Sequence, residues 1–290
     1  MEALQILKPI VSADWLSKHI HHPDLVILDA SIKKVTAKNE SEYKNLQIKG
    51  TRFFDIKKTF SDQQNPIPNM LPSSKHFEEN CRKLGINANS KIIIYDTLGI
   101  YSSARAWWMF TVMGHKEVAI LDGGFPEWIR LALPTEAKTE NSTNYNTGNF
   151  NSKNDRSKCT VTAKEVLIEM NGSNSLILDA RSHNRFIAVD PEPRSSLKGG
   201  HIPNSINLPY TRVLDNGKMR SKEQLTQLFE EFNIKNKKLI FSCGSGITAC
   251  IILLAAKLSG YTNLLVYDGS WSEWGQLDGV PIESYYKKHT

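Results

Sequence analysis

Along the chain, short uninterrupted apolar runs alternate with longer stretches whose apolar residues recur three and four positions apart. The runs include Leu25-Val-Ile-Leu28, Ile92-Ile-Ile-Tyr95, Leu176-Ile-Leu178, Leu239-Ile-Phe241 and Leu264-Leu-Val-Tyr267. They are too short for helices and apolar at successive positions, which predicts strands buried on both faces. The intervening stretches, such as residues 163–170 and 222–232, carry a helical period. Strands of this kind alternating with helices predict an α/β fold built on doubly wound sheets, in which ligands bind beyond the carboxyl ends of the strands.

The pattern occurs twice. Val11-Ser-Ala-Asp14 matches Val161-Thr-Ala-Lys164, Leu28-Asp29-Ala30 matches Leu178-Asp179-Ala180, and Lys91-Ile-Ile-Ile-Tyr-Asp96 matches Lys238-Leu-Ile-Phe-Ser-Cys243. Asp122-Gly-Gly-Phe-Pro-Glu-Trp128 likewise meets Asp268-Gly-Ser-Trp-Ser-Glu-Trp274. The offset stays near roughly 150 residues, a domain-sized period that signals duplication and not a solenoid. Residues 135–158 are rich in Asn, Ser, Thr and Lys and predict an exposed linker. The expected domains are therefore 1–134 and 159–290.

At 290 residues, 40% hydrophobic and 23% charged, the chain is long enough for two ordinary domains and does not read as disordered. Its formal net charge of +6 is interspersed with acidic residues and forms no basic run, which argues for a surface tolerant of anionic substrates and against nucleic acid as partner. The four cysteines, Cys81, Cys159, Cys243 and Cys250, show neither a CxxC pair nor zinc-ligand spacing with histidine. No metal site is expected. No run is long and apolar enough for a membrane span and residues 1–10 lack a secretory pattern, so a cytoplasmic protein with reduced thiols is expected.

Candidate chemistry concentrates at Cys243, which follows an apolar strand run and precedes Gly244-Ser-Gly246, after which residues 247–258 read as a helix. That is the ligand end of a strand. The glycines let Gly244, Ser245, Gly246, Ile247 and Thr248 curl with their amides turned to one point, and the helix N-terminus adds partial positive charge. Such a cradle favours a thiolate or a persulfide, making Cys243 a nucleophile that needs no neighbouring histidine. A cysteine without this context would be read as a small core residue, the reading given to Cys250. A phosphatase-type loop would place a phosphate-gripping arginine where Ala249 stands, which argues against phosphate-ester hydrolysis.

The paired domains, the Cys243 loop, Gly200-His-Ile-Pro203 and Asp268-Gly-Ser-Trp271 together resemble the rhodanese family over nearly the whole chain. The resemblance implies two tandem rhodanese-like domains, each a parallel sheet flanked by helices. Within that family, the Cys-Gly-Ser-Gly-Ile-Thr loop is similar to that of members using 3-mercaptopyruvate, whereas thiosulfate-using members place basic residues after the cysteine. A dianion calls for nearby cations, and Gly244 and Ser245 supply none. The first copy has Asp96 in place of Cys243, so the N-terminal domain is expected to be catalytically silent, with Trp107 and Trp108 in its core or at an interface.

The activity so implied is transfer of sulfane sulfur from 3-mercaptopyruvate to a thiol or cyanide through a Cys243 persulfide, releasing pyruvate, with no cofactor. Thioredoxin or a small dithiol is the implied acceptor. Extra length between Arg181 and Gly200 in the second copy holds Arg185 and Arg194. A planar guanidinium suits the adjoining carboxylate and carbonyl of an α-keto acid, and the resemblance makes both arginines substrate-binding, Arg185 foremost. Arg181 is expected to form a structural pair, His201 to serve a turn, and Trp271 and Trp274 to fill the core. Ser245 is expected to hydrogen-bond the leaving enolate or the thiol, and Thr248 to cap the helix or touch the persulfide. Mercaptopyruvate-using members complete a relay from serine through histidine and aspartate. Asn69 and Lys57 stand at those places here, and an amide cannot shuttle a proton, which leaves water, Ser245 or Lys57 as proton sources. Two alternatives stay open: a thiosulfate sulfurtransferase, and a non-catalytic sulfur carrier or protein-binding module.

Overall fold

The computed structural model describes residues 4–34, 42, 43, 45–138, 145–153, 158–232, 234 and 236–285. The chain divides into two compact units. One comprises Met1–Gln63, Leu71–Asp155 and Asn216–Met219; the other comprises Gln64–Met70, Arg156–Asp215 and Arg220–Thr290.

The sheet of the first unit has five parallel strands in the order Ile10–Val11, Val118–Leu121, Lys91–Tyr95, Leu25–Asp29 and Arg52–Phe53. The second unit repeats it as Thr160–Val161, Leu264–Tyr267, Lys238–Ser242, Ser175–Asp179 and Ile206–Asn207, again parallel throughout. The duplication in sequence is thus a duplication of topology, and each unit is the expected α/β sheet flanked by helices.

The second sheet shows why its central runs are apolar at every position. Val161, Ile177, Ile240, Leu265 and Tyr267 share one core cluster with Val166, Trp271 and Trp274. Leu239 and Phe241, which alternate with Ile240 along the strand, are also fully buried, on the side covered by the helix Ala249–Leu258. A strand sandwiched in this way has no polar face. Phe241 lies opposite Leu178 on one side and Val266 on the other, so Asp179, Cys243 and Asp268 leave the sheet at the same end. That aligned edge is the scaffold of the site.

Of the stretch expected to be a linker, residues 139–144 and 154–157 lie outside the described residues. Other parts of it are built into the first unit. Thr135–Ala137 pairs antiparallel with Leu46–Ile48, and Phe150 is fully buried against Phe77 and Phe110. One aromatic ring suffices to anchor an otherwise polar run, because it buries a large apolar area. Among the described residues, no helix is long and apolar enough to cross a membrane, and no group of three or more His, Cys, Asp or Glu could hold a metal ion.

Candidate active site

The strand Lys238–Ser242 delivers Cys243 to its carboxyl end, where the residue is 2% exposed. Its N–H donates to Ser270 Oγ at 3.1 Å and its carbonyl accepts from Trp271 N at 2.9 Å. Ser270 donates its hydroxyl in turn to Tyr267 O at 2.8 Å, from a left-handed φ of 49°. Non-glycine residues seldom adopt that region, and here both bonds of the hydroxyl hold the residue in it. The Gly244 carbonyl accepts from Ser272 N at 2.9 Å and from Ser272 Oγ at 2.6 Å. The chain then turns through Gly246, whose φ of 76° favours glycine, into the helix Ala249–Leu258.

Two arginines reach this loop. Arg185 lies on the short helix His183–Phe186, and its Nη2 is 3.0 Å from where a Cβ on Gly244 would sit. A side chain at 244 would push the guanidinium back, so glycine here lets it approach closely. Arg194 donates from Nη1 to Ser272 Oγ at 2.6 Å and is tied through that hydroxyl to the Gly244 carbonyl. Ser245 accepts from Asn69 Nδ2 at its Oγ, 3.1 Å, and at its carbonyl, 3.3 Å. Asn69 belongs to the same unit through the segment Gln64–Met70, and its φ of 62° is one that asparagine tolerates. A hydroxyl that accepts an amide N–H in this way still has its own proton to donate.

Behind Arg185 lies a buried network. Glu192 accepts from Arg185 Nε at 3.2 Å and Nη2 at 2.5 Å, and from Arg181 Nη1 at 2.8 Å. Arg181 also grips Asp179, through Nε at 2.9 Å and Nη2 at 2.7 Å, and the Gly200 carbonyl at 2.8 Å. Its guanidinium carbon sits 4.3 Å from the centroid of the Trp271 ring. Burial alone would lower the Arg181 pKa, but Asp179 and then Glu192 outweigh it, so the group is held above the ordinary arginine value.

The first unit shows the same strand-to-helix turn with a carboxyl group in it. Asp96, at the position matching Cys243, accepts from the backbone N–H groups of Leu98 at 2.9 Å, Tyr101 at 2.8 Å and Ser103 at 2.9 Å. Backbone amides converging on one strand-end side chain are what a cradle for a negative sulfur requires. Burial raises the Asp96 pKa above the usual carboxylate value, against the pull of those donors.

The rhodanese-like domain model matches residues 12–131 and again residues 162–277. The chain belongs to the rhodanese family. It is 37% identical over 284 residues to the 3-mercaptopyruvate sulfurtransferase of Mus musculus, covering 94% of each chain. It is 35% identical over 279 residues to the thiosulfate sulfurtransferase of Cricetulus griseus, covering 93% of this chain and 92% of that one. The crystal structure of the 3-mercaptopyruvate sulfotransferase SseA from Escherichia coli matches with a TM-score of 0.80 at 36% identity, covering 92% of this chain and 100% of that one. Relatives named for different donors stand at nearly equal identity, so overall identity does not choose the donor of this rhodanese.

The second rhodanese unit brings Cys243, Gly244, Ser245, Arg185 and Arg194 together, as the sequence reading grouped them. The helix after the loop begins at Ala249 and not at Ile247, and Thr248 makes no side-chain capping bond. Its φ and ψ of −76° and −16° are helical, whereas Ser12, Ser73, Thr162 and Ser221 cap from extended backbone; the side chain of a helical residue does not reach forward to the first turn. Lys57 is exposed in the first unit. Arg181 is the structural pair expected. His201 is buried, places Nδ1 2.8 Å from Phe186 O and stacks on the Phe186 ring at 3.8 Å, so it braces the helix that carries Arg185.

Cys250 is fully buried with Sγ 3.5 Å from Gly246 O. Cys250→Ser is expected to keep activity within about threefold, since a serine hydroxyl can make the same bond to Gly246 O and is not left unsatisfied in the core. Steady-state assay beside wild type checks this, and a loss rivalling that of Cys243 would make Cys250 a resolving thiol.

Glu192 and Ser272 were not singled out by sequence. The signal for Glu192 was present: an acid enclosed in Pro191-Glu-Pro-Arg194 cannot join a helix and is presented on a rigid turn.

Proposed function

We propose that this protein is a sulfurtransferase that takes sulfane sulfur from 3-mercaptopyruvate onto Cys243 and passes it to a thiol. The observation that carries this reading is the convergence of two guanidinium groups, Arg185 over Gly244 and Arg194 through Ser272, on the loop of a strand-end cysteine. Those groups can hold the carboxylate and keto oxygen of the donor and leave its C3 sulfur facing Cys243.

In the first step the Cys243 thiolate attacks the donor sulfur. A sulfur–sulfur bond forms, the carbon–sulfur bond breaks, and its electron pair passes into the enolate of pyruvate. The Ser245 hydroxyl donates to the enolate oxygen, Asn69 orients that hydroxyl, and solvent returns a proton to C3. Cys243 is left as a persulfide in its amide cradle. An acceptor thiolate, from a protein such as thioredoxin or from a small dithiol, then attacks the outer sulfur and restores Cys243. The thiolate supplies the nucleophile and the loop the electrostatics, so neither a metal nor an organic cofactor is called for. A reducing compartment such as the cytoplasm would keep Cys243 in the reactive form.

The test is intact mass after brief exposure to 3-mercaptopyruvate without acceptor, with pyruvate assayed in the same tube. One added sulfur per chain and equivalent pyruvate are expected. Sulfur gained only from thiosulfate would reassign the donor; gain from neither would favour a binding module.

Arg194→Ala is expected to raise the KM for 3-mercaptopyruvate by about tenfold to a hundredfold, the usual range for losing a charge-assisted contact to a carboxylate. Arg185→Ala should raise KM and slow turnover as well, because it removes the guanidinium packed against Gly244 that orients the donor. Unchanged kinetics in both variants would remove the arginine clamp from the mechanism.

A further inference from the structure

Glu192 touches none of the reacting groups, yet its side chain is 1% exposed and both its oxygens are taken by guanidinium groups. A carboxylate buried this deeply persists only where its charge is matched. The matching is complete. Arg181 and Arg185 supply two positive charges, and Asp179 and Glu192 supply two negative ones. Arg185 therefore faces Gly244 with a fixed orientation but with its charge cancelled at hydrogen-bond distance. Arg194 differs, for its partner is the neutral hydroxyl of Ser272, and it makes no ion pair among the described residues.

We infer that Glu192 is a positioning residue that also sets how many negative charges the Cys243 loop accepts. It clamps the planar fork of Arg185 in place and cancels its charge. One cation, Arg194, is left to meet the donor. A donor with a single carboxylate and a neutral thiol is matched by that balance, whereas a dianion of the thiosulfate kind leaves one negative charge uncompensated in a site of low dielectric. This inference rests on the sulfurtransferase reading and names the source of its donor preference.

The test compares wild type, Glu192→Gln and Glu192→Asp for kcat and KM with 3-mercaptopyruvate and with thiosulfate. Glutamine keeps an acceptor for Arg185 and drops the charge. The ratio of kcat/KM for thiosulfate to that for 3-mercaptopyruvate is expected to rise about tenfold in E192Q, chiefly through a lower KM for thiosulfate. Aspartate keeps the charge on a shorter stem, so E192D should lose kcat with both donors while its ratio stays near that of wild type. A merely structural role would weaken both donors alike. An unchanged ratio in folded E192Q, or an equal shift in E192D, would overturn the inference.

A measurement without any variant covers the case in which E192Q does not fold. Pyruvate, a monoanion, should inhibit wild type at lower concentration than sulfate, a dianion; the reverse order would also overturn the inference. Wild type that takes sulfur from neither donor would sink the underlying reading, whereas active wild type with an unmoved ratio in E192Q would sink this inference alone.

Discussion

Cys243→Ser is expected to acquire no sulfur from 3-mercaptopyruvate and to release pyruvate at least about 10⁴-fold more slowly than wild type, the order of loss seen when a nucleophile is removed. A serine hydroxyl is far less ionised than a thiol near neutral pH and cannot hold sulfane sulfur. The loop itself should survive the change. Its anchors at this position are backbone groups, the N–H on Ser270 and the carbonyl under Trp271, and serine keeps both. Unchanged thermal unfolding together with an unmodified intact mass would therefore assign the loss to chemistry. Sulfur appearing on the variant, with Cys250 as its carrier, would move the reaction to the neighbouring helix.

Arg181→Met is expected to destabilise the protein by about 3–5 kcal/mol, the range for removing one partner of a buried ion pair. Methionine fills much of the volume, so the loss is electrical more than steric. Asp179 would keep the N–H of residue 181 but lose the guanidinium, the Gly200 carbonyl would lose its donor, and Trp271 would lose the cation on its ring. Glu192 would depend on Arg185 alone. Denaturant unfolding followed by tryptophan fluorescence would report the change, since Trp271 lies directly against the altered site. A midpoint equal to that of wild type would mean that the network contributes orientation without stability.

The central strands were legible in the sequence because each is buried on both faces, which writes an unbroken apolar run such as Leu239-Ile-Phe241. The outer strand Arg52–Phe53 is too short to carry any period, and its place in the sheet comes from pairing with Leu28-Asp29. At the site, Cys243 could be found from its glycines, since a tight turn at a strand end demands them locally. Glu192 could not be assigned a place, because its role comes from Arg181 and Arg185, joined through space by side chains and not by any local pattern. The helix start was misplaced at Ile247 for a related reason: periodicity extends an apolar face to Ile247, while the turn at Gly246 consumes the residues before Ala249. Phe150 shows the same limit in reverse, for one buried ring in a polar run leaves no periodic trace.

The turn filled by Asp96 has a stoichiometric consequence. The first unit carries its negative group as part of the chain, so its seat is occupied before any donor arrives. On the proposed mechanism, two copies of one fold give a loading capacity of a single sulfur, and fully charged protein should gain the mass of one such atom. Oxidants meet the same asymmetry. The ladder from thiol to sulfinate has a foothold at Cys243, whereas a carboxyl group in the matching turn has no higher oxidation state to reach.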